Sequence, residues 1–300
     1  MLPTFFVINP RSGKGDTEKL IPLIRSHFNS ARIPIEMYVT TVQGDARRGA
    51  ADASSSYPVI VAVGGDGTVN EVVNGIAGSG CILGMLPVGS GNDFSKTANY
   101  PHRLNDCLEV LSKQRSKTID LGVVATVSNV LQKSSRHFIN AAGIGLDAVV
   151  ANEAGKISSI RGVAKYSIAA SRVLFRYKPG LSVVTSEQFV SEGKHLLISV
   201  GNGKCSGGGF YLTPDALLDD GLFDVCLAKD LSTVEILKIL PFVFSGKHGR
   251  FKNVSIRRTT KLTARSESDL VAHVDGEILG LNLREVSVEL IPGAIRVIVP

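Results

Sequence analysis

Val59-Ile60-Val61-Ala62-Val63-Gly64-Gly65-Asp66-Gly67-Thr68-Val69-Asn70-Glu71 is the stretch on which the fold turns. An unbroken apolar run rich in β-branched residues fits a strand buried on both faces. The three glycines after it let backbone N–H groups approach a phosphate closely, and a following helix from Val69 to Ala77 turns its positive end toward an anion. Asp66 is the odd residue in such a loop. A carboxylate beside a polyphosphate is repulsive unless a divalent cation or a hydrogen-bond network lies between, so the loop points to Mg²⁺-bound phosphate and phosphoryl transfer. The plainer account of this loop alone is a tight turn in which Asp66 caps the helix. The Walker and G-x-G-x-x-G spacings are both absent.

On either side of this stretch the first 120 residues alternate strand and helix patterns. Strands are expected at Phe5 to Asn9, Ile35 to Thr40 and Ile82 to Leu86, and helices at Asp16 to Ala31 and Asp45 to Ser56. That alternation implies a parallel sheet with helices on both faces, with ligands at the carboxyl ends of its strands. Two more loops follow strands. Leu86-Pro87-Val88-Gly89-Ser90-Gly91-Asn92-Asp93-Phe94 again sets small residues beside a carboxylate, and Asn9-Pro10-Arg11-Ser12-Gly13-Lys14-Gly15 supplies cations where phosphates would lie. After a linker around Lys117 to Leu121 the sequence becomes strand-rich, with helical interruptions near Gly162 to Tyr177 and Ser232 to Ser245. The strands are expected at Leu121 to Val127, His137 to Asn140, His195 to Gly201, Leu222 to Ala228, Lys261 to Arg265, Leu270 to Val274, Val286 to Leu290 and Ala294 to Val299. A β-sandwich or barrel-like second domain follows.

With its three loops in order, the sequence resembles the diacylglycerol kinase catalytic-domain family, in the soluble bacterial lipid-kinase branch related to sphingosine and ceramide kinases. The resemblance spans the whole chain. It implies an α/β nucleotide-binding domain with a parallel sheet, like those of phosphofructokinases and NAD kinases, over residues 1–121, and an all-β sandwich-like lipid domain over 122–284. The tail from about 285 to 300 is expected to pack back on the first domain. The family motifs G-G-D-G-T-x-N-E and L-P-x-G-[ST]-x-N-D-F stand here at Gly64 to Glu71 and Leu86 to Phe94.

By that resemblance Asn9, Arg11, Ser12, Gly13, Lys14, Thr40, Gly64, Gly65, Asp66, Gly67, Thr68, Asn70, Glu71 and Ser90 are expected at the nucleotide; Ser90 stands where most bacterial relatives have threonine. Asp66, Asp93 and Asp120 correspond to an acidic network that holds magnesium and water. In Thr213 to Asp224 the Asp220 carboxylate and the carbonyls of Leu217 and Leu222 correspond to a structural Mg²⁺ loop, a stretch that otherwise reads as an acidic hairpin turn. His273-Val274-Asp275-Gly276-Glu277 carries the family's D-G-E element. Transfer to an alcohol needs a carboxylate in reach of the hydroxyl, and Asp275 and Glu277 are both candidates for that base. As bare sequence D-G-E is a common turn, and His273 reads as a strand residue with no chemical role.

The expected activity is an ATP- and Mg²⁺-dependent lipid kinase, with diacylglycerol converted to phosphatidic acid as the leading reaction. Two rivals stand beside it: a kinase of a soluble acceptor, as NAD kinases are, and a regulator that keeps the fold without turnover. Charge adds a partner. The net charge of +6 is concentrated in two segments free of carboxylates, Ala154 to Ser186 and Lys247 to Lys261, each with six basic residues; setting these twelve aside from 33 leaves 21 against 27 acidic residues. Basic residues interleaved with Phe, Leu and Tyr suit an anionic membrane surface, with Arg172, Arg176 and Lys178 as the expected contacts. No nucleic-acid-binding module accompanies them. The apolar runs are shorter than a bilayer span, the N-terminal segment lacks a signal-peptide pattern, and the four cysteines read as reduced core thiols. The expected place is therefore the cytoplasm, peripheral at the inner face of the membrane. Exposed strand edges permit a homodimer without requiring one.

Overall fold

The computed structural model describes every residue except Lys14, Asp16, Ser158, Ser159, Arg161 and Phe175; of Gly162 and Val163 the backbone alone is described. The chain divides into two compact units, Met1–Ile119 with Gly293–Pro300, and Asp120–Pro292.

The first unit is an α/β domain. In chain order it contains β1 (Thr4–Ile8), α1 (Ile21–Ser30), β2 (Ile35–Val39), α2 (Asp45–Ala53), β3 (Val59–Gly64), α3 (Asp66–Ile76), β4 (Ile82–Pro87), α4 (Asp93–Thr97) and α5 (Leu104–Lys113). Strands β4, β3, β1 and β2 lie side by side and all parallel, and Arg296 and Val297 near the chain's end add a further parallel neighbour to β4. Every residue of β1 and β3 is buried. A parallel sheet covered on both faces has no wet side, so its strands read as continuous apolar runs. Helices α2 and α3 approach closely because Gly75 has no side chain: a Cβ there would come within 2.9 Å of the Ala50 Cβ.

Two boundaries differ from expectation. Helix α1 begins at Ile21 behind a 3₁₀ turn at Thr17–Leu20; Pro22 takes an early position where its missing N–H costs nothing. Helix α3 starts at Asp66, so Asp66, Gly67 and Thr68 form its first turn and not a loop.

The second unit contains β5 (Ser116–Ser128, entering from the first unit), β6 (Lys133–Phe138), β7 (Ala141–Gly145), α6 (Leu146–Gly155), α7 (Gly162–Val173), β8 (Ser182–Ser186), β9 (Val190–Gly193), β10 (His195–Gly201), β11 (Phe223–Lys229), α8 (Thr233–Val243), β12 (Val254–Thr259), β13 (Lys261–Val274) and β14 (Glu277–Ile298, whose last residues belong to the first unit). The order β12-β11-β10-β7-β13-β14 is antiparallel throughout, with β8 and β9 beyond β13, and β5 and β6 beyond β14. Alternation along β11 explains the packing: Phe223, Val225 and Leu227 enter the main core, while Cys226 and Ala228 on the opposite face enter a smaller core under α8 with Ile239 and Val243. All four cysteines are free and buried. Burial pushes the Cys226 thiol up to about 12.

Helix α6 was not expected from the sequence, because its apolar residues merge with the strand-like run before it. The expected pairs of strands at Lys261 to Arg265 with Leu270 to Val274, and at Val286 to Leu290 with Ala294 to Val299, are single strands. Register shifts between Arg265 and Ala272 absorb the polar interruption in the first. No helix among the described residues is long and apolar enough to cross a membrane.

Candidate active site

In the first unit the three glycine-bearing loops are pressed together. Asn9, just after β1, donates from Nδ2 to Thr68 Oγ1 (3.0 Å) and accepts the Arg11 N–H (3.0 Å), tying the first loop to α3. Gly13 has φ +60°, and a Cβ there would meet the Val88 carbonyl at 2.6 Å. A side chain on Gly65 would come within 3.1 Å of Gly89 Cα, so these two backbones touch. Glycine is required at Gly65 by this close approach; its φ of −98° is open to any residue. The first-turn amides of α3, from Asp66 to Thr68, have no helical acceptor, which is the arrangement that receives an anion.

Asp66 Oδ1 accepts the Phe94 N–H at 3.3 Å. Asp66 Oδ2 and Asp93 Oδ2 both lie within 4 Å of the point where a Gly91 side chain would begin, at 2.9 and 3.7 Å. Two carboxylates beside one stretch of backbone suit a divalent cation, which removes their mutual repulsion. Lys96, 3.4 Å from Asp93, offsets part of it already. Ser90 is exposed in the same loop, as is Arg11 in the first, while Thr40 is buried at the end of β2 with its N–H on the Ile8 carbonyl. Lys14 lies outside the described residues.

Glu71 differs from the expectation of a nucleotide contact. Its two oxygens accept the N–H groups of Gly44 and Ala46, at 3.1 Å each, so it caps the start of α2. Beside it Asp45, which read as ordinary helix-start chemistry, is buried and accepts from the Thr41 hydroxyl and the Thr41 and Val42 amides. Those bonds hold its carboxyl down at about 2 and fix the segment that follows Thr40.

In the second unit the D-G-E element is a two-residue hairpin joining β13 to β14, with Val274 opposite Glu277. Asp275 and Gly276 have φ of 49° and 86°, and positive φ at both positions is the geometry that favours Asp-Gly. The Asp275 carboxylate accepts three backbone amides, from Ile139 to Oδ2 and from Asn140 and Ala141 to Oδ1, each at 3.0 Å. Glu277 is half-buried, and its carboxylate has no hydrogen bond or ion pair among the described residues. His273 Nδ1 accepts the Gly276 N–H at 3.1 Å, so a neutral imidazole carries its proton on Nε2. That atom lies 3.3 Å from Asp147 Oδ2, at the start of α6, and neither has a hydrogen-bond partner among the described residues. Gly143, opposite His273 on β7, makes room for the pair: its Cβ would collide with both atoms.

Asp120 belongs to this second unit. Its Oδ2 accepts the Gly221 N–H at 2.8 Å and its own N–H goes to the Leu218 carbonyl at 2.7 Å, so it braces the loop that carries Asp220. Asp220 itself accepts the Leu222 N–H and is ion-paired with Arg258, which also lies 3.9 Å from Asp224. Among the described residues no three acidic, histidine or cysteine side chains converge as a metal cluster. A cation held by Asp220 with the Leu217 and Leu222 carbonyls would compete with Arg258 for that carboxylate.

A cavity of about 140 Å³ lined almost wholly by apolar side chains comes toward the D-G-E hairpin at Tyr166 and Asp147. Val150 and Tyr166 from the α6–α7 pair, Leu196 from β10, and Ile236, Ile239 and Leu240 from α8 form its walls. Asp147 stands at its edge, and the Tyr166 hydroxyl is 3.6 Å from where a Gly276 side chain would begin. On α7 and the turn after it, Arg172, Arg176 and Lys178 are exposed. Arg172 is 3.5 Å from Glu153, which also pairs with Lys156; Glu153 lies one residue outside the carboxylate-free window of the sequence.

Known proteins give the arrangement a family. Residues 3–124 match the diacylglycerol kinase catalytic domain, and residues 140–299 match the YegS C-terminal NAD kinase beta sandwich-like domain. A diacylglycerol kinase of Staphylococcus saprophyticus is 30% identical over 289 residues, covering 93% of this chain and 92% of that protein. One from Staphylococcus aureus is 32% identical over 278 residues, with 91% and 85% covered. The fold is shared with a crystal structure described as that of a diacylglycerol kinase from Bacillus anthracis, at a TM-score of 0.74 and 21% identity, covering 99% of this chain and 97% of that one. A second chain from that organism superposes at 0.79 with 24% identity and the same coverage. On its sequence relatives and both matched domains, the chain belongs to the diacylglycerol kinase family and is a phosphotransferase by membership.

Proposed function

We propose that the protein transfers the γ-phosphate of ATP, with Mg²⁺, to the free hydroxyl of diacylglycerol, and that Glu277 is the base. The observation that carries the reading is the D-G-E hairpin standing beside an apolar cavity. One carboxylate of the hairpin is consumed by three main-chain amides and the other is unengaged. A carboxylate without a partner can orient an acceptor hydroxyl and take its proton as the phosphorus–oxygen bond forms. The aliphatic cavity, which meets the hairpin through Tyr166 and Asp147, suits the chain of a lipid acceptor and offers nothing to the ribose and phosphates of a dinucleotide.

In the first unit the α3 first-turn amides and the Asn9–Thr68 junction would receive the ATP phosphates. Asp66 and Asp93 are the residues suited to hold Mg²⁺, which when bound neutralises charge on the phosphate oxygens. The loops fix these groups in advance, through the glycine contacts at Gly13, Gly65 and Gly91. Peripheral contact with anionic lipid through Arg176 and Lys178, with Arg172 weakened by Glu153, belongs to the same reading.

The test is transfer of labelled γ-phosphate to a panel of lipids in mixed micelles, run beside Glu277→Gln and with NAD as a soluble acceptor. Labelling of diacylglycerol that disappears in the variant supports the proposal. Labelling of NAD alone would overturn it.

A further inference from the structure

Helix α8 carries an apolar arc wider than the side that faces the cavity. Ile236, Ile239, Leu240 and Val243 point inward and line the cavity. Beside this face Val234 and Leu237 are 61% and 50% exposed, with Pro241 exposed in the next turn, and Phe244 just past the helix is 39% exposed with its ring 4.7 Å from that of Phe210. Apolar side chains on a surface helix are normally turned to the core, and here part of the apolar arc is left facing water. Its N-terminus is self-contained: Ser232 and Glu235 form a reciprocal capping box, so the outer residues are not needed to close the helix.

We propose that this outer face is the surface by which the protein settles on an anionic bilayer, a proposal that rests on the lipid-kinase reading. Charge selects that partner. From Ile236 to Ser266 the chain has no Asp or Glu, while Lys238 shares the exposed face and Lys247, Arg250 and Lys252 follow the helix. Arg250 is held by stacking 3.9 Å over the Phe242 ring. A basic collar around apolar side chains complements anionic headgroups over an acyl layer. Two copies of the same face meeting about a two-fold axis would bring like charges together. The helix has 11 residues, about 16 Å of length against a hydrocarbon core of about 30 Å, so it lies in the interface and does not cross. Immersion of the outer face would place the inner face, and the cavity beneath, at the level of the lipid chains.

The experiment is sedimentation with vesicles of phosphatidylcholine containing phosphatidylglycerol, comparing the wild-type protein with the double substitution Val234→Glu, Leu237→Glu. Neither residue lines the cavity, and their exposure leaves the fold intact, to be checked by thermal melting. Partition onto vesicles should fall at least about tenfold, while turnover of a short-chain diacylglycerol dissolved as monomers stays within about twofold. A second variant, Lys247→Ala with Lys252→Ala, should lose chiefly the salt-sensitive part of binding. Equal partition of wild type and the Glu variant, or failure of the wild type to bind these vesicles, overturns the proposal. So does a wild-type dimer that the Glu variant converts to monomer with vesicle binding intact. If the wild type phosphorylates no lipid in detergent, the kinase reading fails by itself, and the partition result still decides whether α8 is a membrane face.

Discussion

Replacing Asp275 by Asn should unfold more than it inactivates, and replacing Glu277 by Gln should do the reverse. Asn-Gly suits a hairpin with two positive φ angles as well as Asp-Gly does, so the turn itself is not harmed. The loss arises at the three amides. In its better orientation the Asn carbonyl keeps Asn140 and Ala141, and its NH₂ group then faces the Ile139 N–H, a donor against a donor. One orphaned amide costs about 1–3 kcal/mol, and loss of the charge from the other two bonds about 1 kcal/mol each, for a total of roughly 3–5 kcal/mol. For a unit the size of Asp120–Pro292, each kcal/mol moves Tm by about 2–4 °C, so a drop of roughly 6–20 °C is expected. Glu277→Gln removes a charge with no partner and should leave Tm within about 2 °C, while kcat falls by about 10²–10⁴ with KM for ATP little changed. Thermal melting and steady-state phosphate transfer on both variants decide the matter. A stable, inactive Asp275→Asn beside an active Glu277→Gln would refute the assignment and make Asp275 the base.

Glu71→Ala should lower stability by about 1–2 kcal/mol through loss of the α2 cap, with KM for ATP within about twofold; a large rise in KM with an unchanged Tm would return Glu71 to the nucleotide. Asp224 is buried, and its carboxyl is pushed up to about 6 by that burial and then by Asp215. Its ionisation opposes folding, so stability should fall as pH rises from about 4 to about 6. Asp224→Asn should therefore stabilise the protein at pH 7, by about 1–3 kcal/mol after the attraction of Arg258 is subtracted, and give no advantage below pH 4; denaturant titrations across that range would show it, and equal stability of the two proteins at pH 7 would count against it. Gly143→Ala should push Asp147 and His273 apart and loosen the bond from the Gly276 N–H, lowering kcat by at least about tenfold through the hairpin that carries Glu277; unchanged kcat would show that the pair does not brace the hairpin.

The fold and the glycine-bearing loops of the first unit were legible because each of their signals is local. A strand buried on both faces must be continuously apolar, and a backbone that approaches another backbone must be glycine, so Val59 to Thr68 announces both without a third dimension. The family motifs stand within runs of a few residues for the same reason. Helix α6 escaped because a short helix beside an apolar strand has no distinct period, and the long strands β13 and β14 were divided because a polar or Pro-Gly interruption reads as a turn when the neighbouring strand is unseen.

What the sequence by itself determined was the class of fold, the three glycine-bearing loops and the presence of a carboxylate pair in D-G-E. Tertiary structure alone decided which of that pair the backbone holds. Asp275 finds its three donors at Ile139 to Ala141, more than 130 residues away, and Glu71 finds its two at the start of α2. Arg258 reaches the Asp220 loop from β12, and the apolar arc of α8 divides into a covered and an exposed part only when one part faces a cavity. A carboxylate's role depends on which groups occupy its lone pairs, and those partners are brought to it by the fold.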